Sequence, residues 1–247
     1  MQPPLGFNSG SRLGNHFFGN MAFHFIAQVH KIPIEYTCKN EFNELGLTFY
    51  KTQGHALVNP SPFVINEDNF MDLIQSKDCS GHHIFSYGGT YFQTKEFALF
   101  LADHFSKPTI QAPIRAANPF RDRYNANSSV FVHVRLGDKI HDNISSKAYF
   151  ETALKAIPFK DGYISSDTPY HPIVQELAET YTLELIKDSP IRTLQLASTC
   201  RFQVLSQGTF SFMMGILGFH TELVQWPQIK NSWHGNIFVI PEWKEGE

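Results

Sequence analysis

Ser129-Val-Phe-Val-His-Val-Arg-Leu-Gly-Asp-Lys139 is the stretch whose reading decides the fold. Val130, Phe131, Val132 and Val134 make a β-branched and aromatic run suited to a buried strand, and the apolar pattern stops at Arg135. The strand therefore delivers a cation at its carboxyl end. Gly137 permits a sharp turn there, and Asp138 sets a carboxylate beside the guanidinium. Ligands of open α/β sheets bind beyond the carboxyl ends of strands, and a permanently charged, forked guanidinium suits a phosphate. Two readings follow from these residues: an anion site, or an Arg/Asp pair that only closes a strand end.

Carboxyl-terminal to this stretch the pattern is regular. A loop to Ser146 leads to a helix through Tyr149, Phe150, Ala153 and Leu154, and Gly162-Tyr-Ile-Ser165 reads as a strand. Thr168 is expected to cap the next helix with Pro169 in its first turn, and Ser189-Pro190 repeats the signal before a helix through Leu194, Leu196 and Ala197. Leu183–Ile186 and Phe202–Ser206 read as strands, Gly208–Ser211 as a turn, Met213–Phe219 as a helix and Ile237–Ile240 as a last apolar stretch. Alternating strands and helices of this length predict a mostly parallel sheet wrapped by helices. The turns at Arg135–Asp138, Ser165–Asp167 and Thr209–Ser211 would then share one sheet edge around one ligand.

Working back toward the amino terminus, Ser106 to Asn127 loses periodicity and gathers Pro108, Pro113 and Pro119, which places a domain boundary near residue 120. Before it, Thr94 caps a helix bearing Phe97, Phe100, Leu101 and Phe105, His82–Tyr87 reads as a strand, and Asn66 is expected to cap a helix through Glu67, Asp68, Phe70, Leu73 and Ile74. Ile32–Thr37 reads as a strand with Pro33 at its edge or start. Ser9-Gly-Ser-Arg-Leu-Gly-Asn-His16 is a glycine loop feeding a helix with Leu13, Phe17, Met21 and Phe25 at helical spacing. Such a loop is either an ordinary turn or an anion seat, because unpaired N–H groups point outward at a helix start.

Composition narrows the class. The chain has 247 residues, 42% hydrophobic and 17% charged, enough for one large domain or two small ones. A formal net charge of -3 with no basic run argues against nucleic acid as partner. No stretch reads as a membrane span or secretory leader, and the three cysteines are too few and too scattered for a disulfide framework or a metal knuckle, so a cytoplasmic protein is expected. The twelve histidines do not converge at zinc spacing, and 23 phenylalanines argue for a dense aromatic core.

Four stretches resemble the fucosyltransferase superfamily of α1,2-fucosyltransferases and protein O-fucosyltransferases. Gly10-Ser-Arg-Leu-Gly-Asn-His16 is similar to its Gly-x-Leu-Gly-Asn-Gln opening, and His133-Val-Arg-Leu-Gly-Asp138 to its His-x-Arg-x-Gly-Asp motif. Ile164-Ser-Ser-Asp167 resembles Phe-Ser-Asp-Asp, and Gly208-Thr-Phe-Ser211 resembles Ser-Thr-Phe-Ser; all four occur in family order. The resemblance implies a GT-B-like α/β fold of two Rossmann-like domains facing across a cleft: an acceptor-side domain over residues 1–120 and a GDP-binding domain over 121–247. It implies inverting transfer of L-fucose from GDP-β-L-fucose to a glycan hydroxyl, with a nucleotide-sugar donor and a glycan acceptor as partners, and no metal or other cofactor.

By the same resemblance Arg135 stabilises the β-phosphate, Asn15 has a catalytic or sugar-positioning role, and Asp138 is either the general base or the residue that orients its loop. Gly14, His16, His133, Ser165, Asp167, Thr209, Phe210 and Ser211 would contact substrate, with His133 at the guanine nucleotide, Asp167 near base or ribose, and 209–211 around the phosphates. The chain departs from the pattern at Leu136, where an arginine is usual, and at Ser166, Gly208, Phe212-Met213 and His16. These departures bear on the donor sugar, so two alternatives stand beside fucosyl transfer: the same fold using another GDP- or UDP-sugar, and a silent nucleotide-sugar or glycan-binding protein.

Overall fold

The run at residues 130–134 forms a strand with all five residues buried in the computed structural model of the chain, which describes residues 5–6, 12–32, 34–51, 61–75, 82–86, 90–125, 127–137, 146–228 and 235–246. In chain order the first half holds β1 (Leu5–Gly6), α1 (Leu13–His30), β2 (Ile34–Glu35), α2 (Lys39–Glu44), β3 (Ser61–Ile65), α3 (Phe70–Ile74), β4 (His82–Ser86), α4 (Lys95–Ser106) and α5 (Pro108–Ala117). After a 3-10 turn at Arg121–Asn125 come β5 (Val130–Val134), α6 (Lys147–Lys155), β6 (Gly162–Ser166), α7 (Pro172–Thr180), β7 (Leu183–Leu185), α8 (Pro190–Ala197), β8 (Phe202–Leu205), α9 (Thr209–Ile216), β9 (Leu223–Pro227) and β10 (Lys244–Gly246).

The second half is a parallel α/β sheet of six strands among the described residues, in the order β10-β9-β8-β5-β6-β7. Chain order therefore reverses between β5 and β8, the doubly wound Rossmann-like arrangement in which ligands lie beyond the strand ends at the reversal. Side-chain alternation explains the two layers. Val130, Val132, Val134, Ile164 and Val204 face α6 and α7, where they meet Tyr149, Phe150, Leu154, Val174 and Leu177. Phe131 and Leu205 belong to the opposite layer with Ile191, Leu194 and Ala197 of α8 and Phe212 to Met214 of α9.

In the first half β1 pairs with β2 and β3 with β4, each in parallel. Helix α1 is buried along most of its length, including Phe17, Phe18, Phe23 and Ile26. The apolar layer on the α8/α9 side of the sheet runs without a break into this half. Phe18 of α1 lies 5.1 Å from the ring of Phe212 of α9 and 6.1 Å from Phe97 of α4, while Phe17 meets Phe42 and Phe105. Phe212 in turn contacts Phe238 and Trp243. This is where the abundance of phenylalanine is used.

Several helix starts follow their local chemistry. The side chains of Thr94, Ser146 and Ser189 accept the N–H groups of Phe97, Tyr149 and Arg192, and Pro190 holds the first turn of α8. Four expectations need correction. Helix α7 begins at Pro172, not at Pro169, because Ser166 and Thr168 are used in a turn closed by Thr168 N–H to Ser166 Oγ (3.0 Å) and His171 supplies the cap. Asn66 binds the Asp68 N–H in a turn, so α3 starts only at Phe70. The segment expected to be aperiodic contains α5, with Pro108 at its first position. Thr209–Ser211 is the first turn of α9 rather than a separate turn. Strand β9 was not expected, and Ile237, Phe238 and Ile240 fill the core without forming a strand. Among the described residues no helix is long and apolar enough to cross a membrane.

The shared aromatic layer makes a direct prediction. Phe18→Ala and Phe212→Ala should each lower stability by about 3–5 kcal/mol, and a double-mutant cycle in urea unfolding should show a coupling of about 0.5–1.5 kcal/mol. Additive effects would mean that the contact between α1 and α9 contributes nothing of its own.

Candidate functional site

The reversal between β5 and β8 is fastened by Ser206, which follows β8. Its hydroxyl donates to His133 O (2.8 Å) and accepts the Arg135 N–H (2.8 Å), while its own N–H also reaches His133 O. The two strand ends are thus tied at the point where Arg135 leaves the sheet. The Arg135 guanidinium lies over Gly208, at the amino-terminal cap of α9, where any Cβ would collide with Nη1. Gly208 also has φ of 128°, a left-handed value that favours glycine. Phe212 N–H is the first to reach a helical acceptor, Gly208 O, so the N–H groups of Thr209, Phe210 and Ser211 precede the intrahelical ladder. A guanidinium beside a helix amino terminus is a strong anion seat.

The amino terminus of α1 meets the same place. A Cβ on Gly14 would lie 2.5 Å from Phe210 N and 2.6 Å from Thr209 Oγ1, so only glycine lets the two helix starts touch. Next to it, Asn15 Oδ1 accepts from Thr209 Oγ1 (2.8 Å) and from Gln93 Nε2 (3.1 Å). With its carbonyl occupied twice, the amide NH2 of Asn15 is the end available to donate to a substrate oxygen. His16 turns away from this junction: its Nδ1 bonds Thr37 Oγ1 (2.9 Å), and Thr37 O also accepts from Asn20.

Asp167, after β6, works as a bracket. Oδ1 accepts the N–H groups of Leu136 (3.0 Å) and Gly137 (3.2 Å), and Oδ2 pairs with Arg12 Nη1 (3.2 Å) at the start of α1. Both oxygens are therefore engaged by protein donors, and the carboxylate shapes the β5 loop. Leu136, where the resembling motif has arginine, sends its side chain into the core with Val134. Asp138 and the glycine loop at 9–11 lie outside the described residues.

Beneath the anion seat, His133 Nδ1 and Ser211 Oγ share a 2.7 Å hydrogen bond, and the Phe210 ring packs edge-on to the imidazole. Burial, helped by the Arg135 charge and opposed by Asp167, lowers the His133 pKa to about 4, so the ring is neutral at pH 7. Ser165 pairs in register with His133 on the neighbouring strand, 5% exposed, and its Oγ has no hydrogen-bond partner among the described residues. A buried hydroxyl without a partner is costly, and a polar ligand group at this face would satisfy it.

Asn15, Gly14, His133, Arg135, Ser165, Asp167, Thr209, Phe210 and Ser211 thus gather at one sheet edge; His16 is one residue removed, facing β2. Three contributors were not singled out from sequence. Arg12 was part of a quoted motif, Gly208 stood before a helix as a glycine cap, and Ser206 carried no local signal at all. Among the described residues, no three His, Cys, Asp or Glu side chains are grouped to hold a metal ion. Compared with known proteins, the chain matches no family model and no curated protein.

Two outcomes follow. Gly14→Ala should cost about 1–3 kcal/mol in urea unfolding by prising α1 from α9, because its Cβ would meet Phe210 N and Thr209 Oγ1. His133 and His24 both titrate near pH 4 when folded, against an ordinary 6.5. The unfolded chain therefore takes up protons first, and stability is lost as pH falls from about 6.5 to about 4, by roughly 3 kcal/mol for each ring. A histidine NMR titration should show neither ring protonating above pH 5; a His133 midpoint near 6.5 would contradict the burial argument.

Proposed function

We propose that the protein is an inverting, metal-independent glycosyltransferase that moves L-fucose from GDP-β-L-fucose to a glycan hydroxyl, with two Rossmann-like halves in a GT-B-like arrangement. The observation that carries this reading is the Asn15–Thr209 contact, made by residues 194 positions apart, beside the Arg135 guanidinium at the strand reversal. The described parts of four stretches with a fucosyltransferase resemblance meet there, and the guanidinium beside the first N–H groups of α9 supports a diphosphate seat.

In the proposed reaction the acceptor oxygen attacks C1 of the sugar as the bond from C1 to the β-phosphate oxygen breaks. The bonding pair leaves on the diphosphate, where Arg135 and the first N–H groups of α9 stabilise the growing charge without reorganising. Asn15 donates from the α1 side and orients the sugar. The acceptor hydroxyl proton goes to a base, for which Asp138 is the carboxylate nearest Arg135 in sequence; the alternative is that Asp138 only orients its loop and another group takes the proton. His133, held neutral, offers hydrogen bonds to the nucleotide without adding charge, and Ser165 supplies a further hydroxyl on the same face. Asp167 acts here through the loop it brackets.

Titration of thermal stability with GDP, GDP-fucose, other GDP-sugars and UDP-sugars, with and without EDTA, tests the donor. GDP and GDP-fucose should stabilise the protein regardless of EDTA, and Arg135→Ala should abolish the shift. Fucosyl transfer should fall about a hundredfold or more in Arg135→Ala. Preference for a UDP-sugar, preference for another GDP-sugar, or no binding would contradict the donor assignment, and binding without any turnover would mark a silent binder.

A further inference from the structure

We infer that a cavity of about 250 Å³ beside β2 binds an acidic saccharide, a sugar ring bearing a carboxylate, sulfate or phosphate, as part of the acceptor. The acceptor role rests on the transferase reading; the saccharide site rests on the cavity itself.

The cavity is lined by Tyr36, Lys39, Asn43, Phe49, Tyr50 and Lys51, among others. Its floor is aromatic and fixed. Tyr36 stacks on Phe49 with ring centroids 4.6 Å apart, its hydroxyl donates to Tyr50 O (3.0 Å), and Tyr50 N–H donates to His24 Nδ1 (2.8 Å). The half-buried Phe49 and Tyr50 rings, backed by buried Tyr36, and the polar groups beside them suit the C–H edge and hydroxyls of a sugar. The volume admits a single ring-sized group rather than a nucleotide.

Charge selects among sugars. Lys39 and Lys51 both line the cavity, neither has an ion-pair partner among the described residues, and no carboxylate from the described residues lines it. By contrast, Lys107 and Lys147 are each paired with an acidic side chain. Lys31 is not part of the lining: its Nζ donates to Gln28 O and lies 5.3 Å from the Tyr50 ring centroid. Glu35, Glu41 and Glu44 lie in the same elements but outside the lining, so the two ammonium groups are the charges that face the cavity, and an anionic group on the sugar would meet them there. His24 contributes none of it, because burial lowers its pKa to about 4.

The position links the cavity to the proposed centre. Tyr36 adjoins Thr37, which bonds His16 and Asn20 in α1, and Asn15 precedes His16 on the same helix turn. The bond from Tyr50 to His24 sets the cavity nine residues along α1 from Asn15, about 13 Å at helical rise, so a saccharide seated here would be a distal ring of an acceptor whose reacting hydroxyl reaches Asn15.

The test is a calorimetric titration of the full chain with glucuronate, glucose 6-sulfate, glucose 6-phosphate, neutral glucose and inorganic phosphate. It uses wild type, Lys39→Ala/Lys51→Ala and Lys39→Arg/Lys51→Arg, with GDP binding measured on each. At least one acidic sugar should bind about tenfold or more tighter than glucose and than inorganic phosphate, and the ranking of the three identifies the anion. The alanine pair should lose about fivefold or more of that affinity, the arginine pair should keep it, and GDP binding should be unchanged in both. Equal binding of glucose, equal binding of inorganic phosphate, or no effect of the alanine pair would overturn the inference. Acidic-sugar binding in a protein that ignores GDP would reject the transferase reading while leaving the saccharide site in place.

Discussion

The close approach of two helix starts is the constraint on which the rest depends. Gly14 rests against the first turn of α9, and the absence of a side chain there lets Asn15 reach Thr209. Everything behind that contact is arranged to hold it. Phe17 and Phe18 carry α1 into a layer of rings from α2, α4 and α9, and Trp243 packs against Gly215 from the far side of α9. Close packing of this kind resists small displacements, so a site built from both halves keeps its geometry before any ligand arrives.

Positive charge gathers at the junction. Two helix amino termini and Arg135 present partial and full positive charge at the strand reversal. Asp167 is the carboxylate bound into this region, and its oxygens are directed at Arg12 and at the Leu136 and Gly137 N–H groups. It stiffens the β5 loop, while the Arg135 guanidinium lies against Gly208 at the start of α9. Burial keeps His133 neutral, so the floor of the site contributes hydrogen bonds instead of a further cation. The joining segment is fixed as well: buried Asn118 reaches Gln195 O, Ser198 Oγ and Tyr124 Oη, tying the end of α5 to α8.

The central strand, the caps at Thr94, Ser146 and Ser189 and the parallel character of the sheet were legible because each rests on residues within a few positions of one another. Expectations failed where neighbouring signals compete. Thr168-Pro169 looks like a helix start, yet Ser166 captures the Thr168 N–H first. Pro113 hides α5, since a proline inside a ten-residue helix breaks the usual pattern. The motifs name many of the residues that gather at the candidate site, but not the contacts that join them. The Arg12–Asp167 pair spans 155 positions, and Ser206 acquires its role only when β8 lies beside β5. Leu136 is explained the same way: the loop held by Asp167 directs its side chain into the core.

The most direct test of the central claim is a crystal structure of the protein with GDP. The account predicts the β-phosphate within hydrogen-bond distance of the Arg135 guanidinium and of backbone N–H groups among Thr209, Phe210 and Ser211, with the Asn15–Thr209 contact intact. A diphosphate placed elsewhere along the sheet, or turned away from the α9 amino terminus, would contradict it.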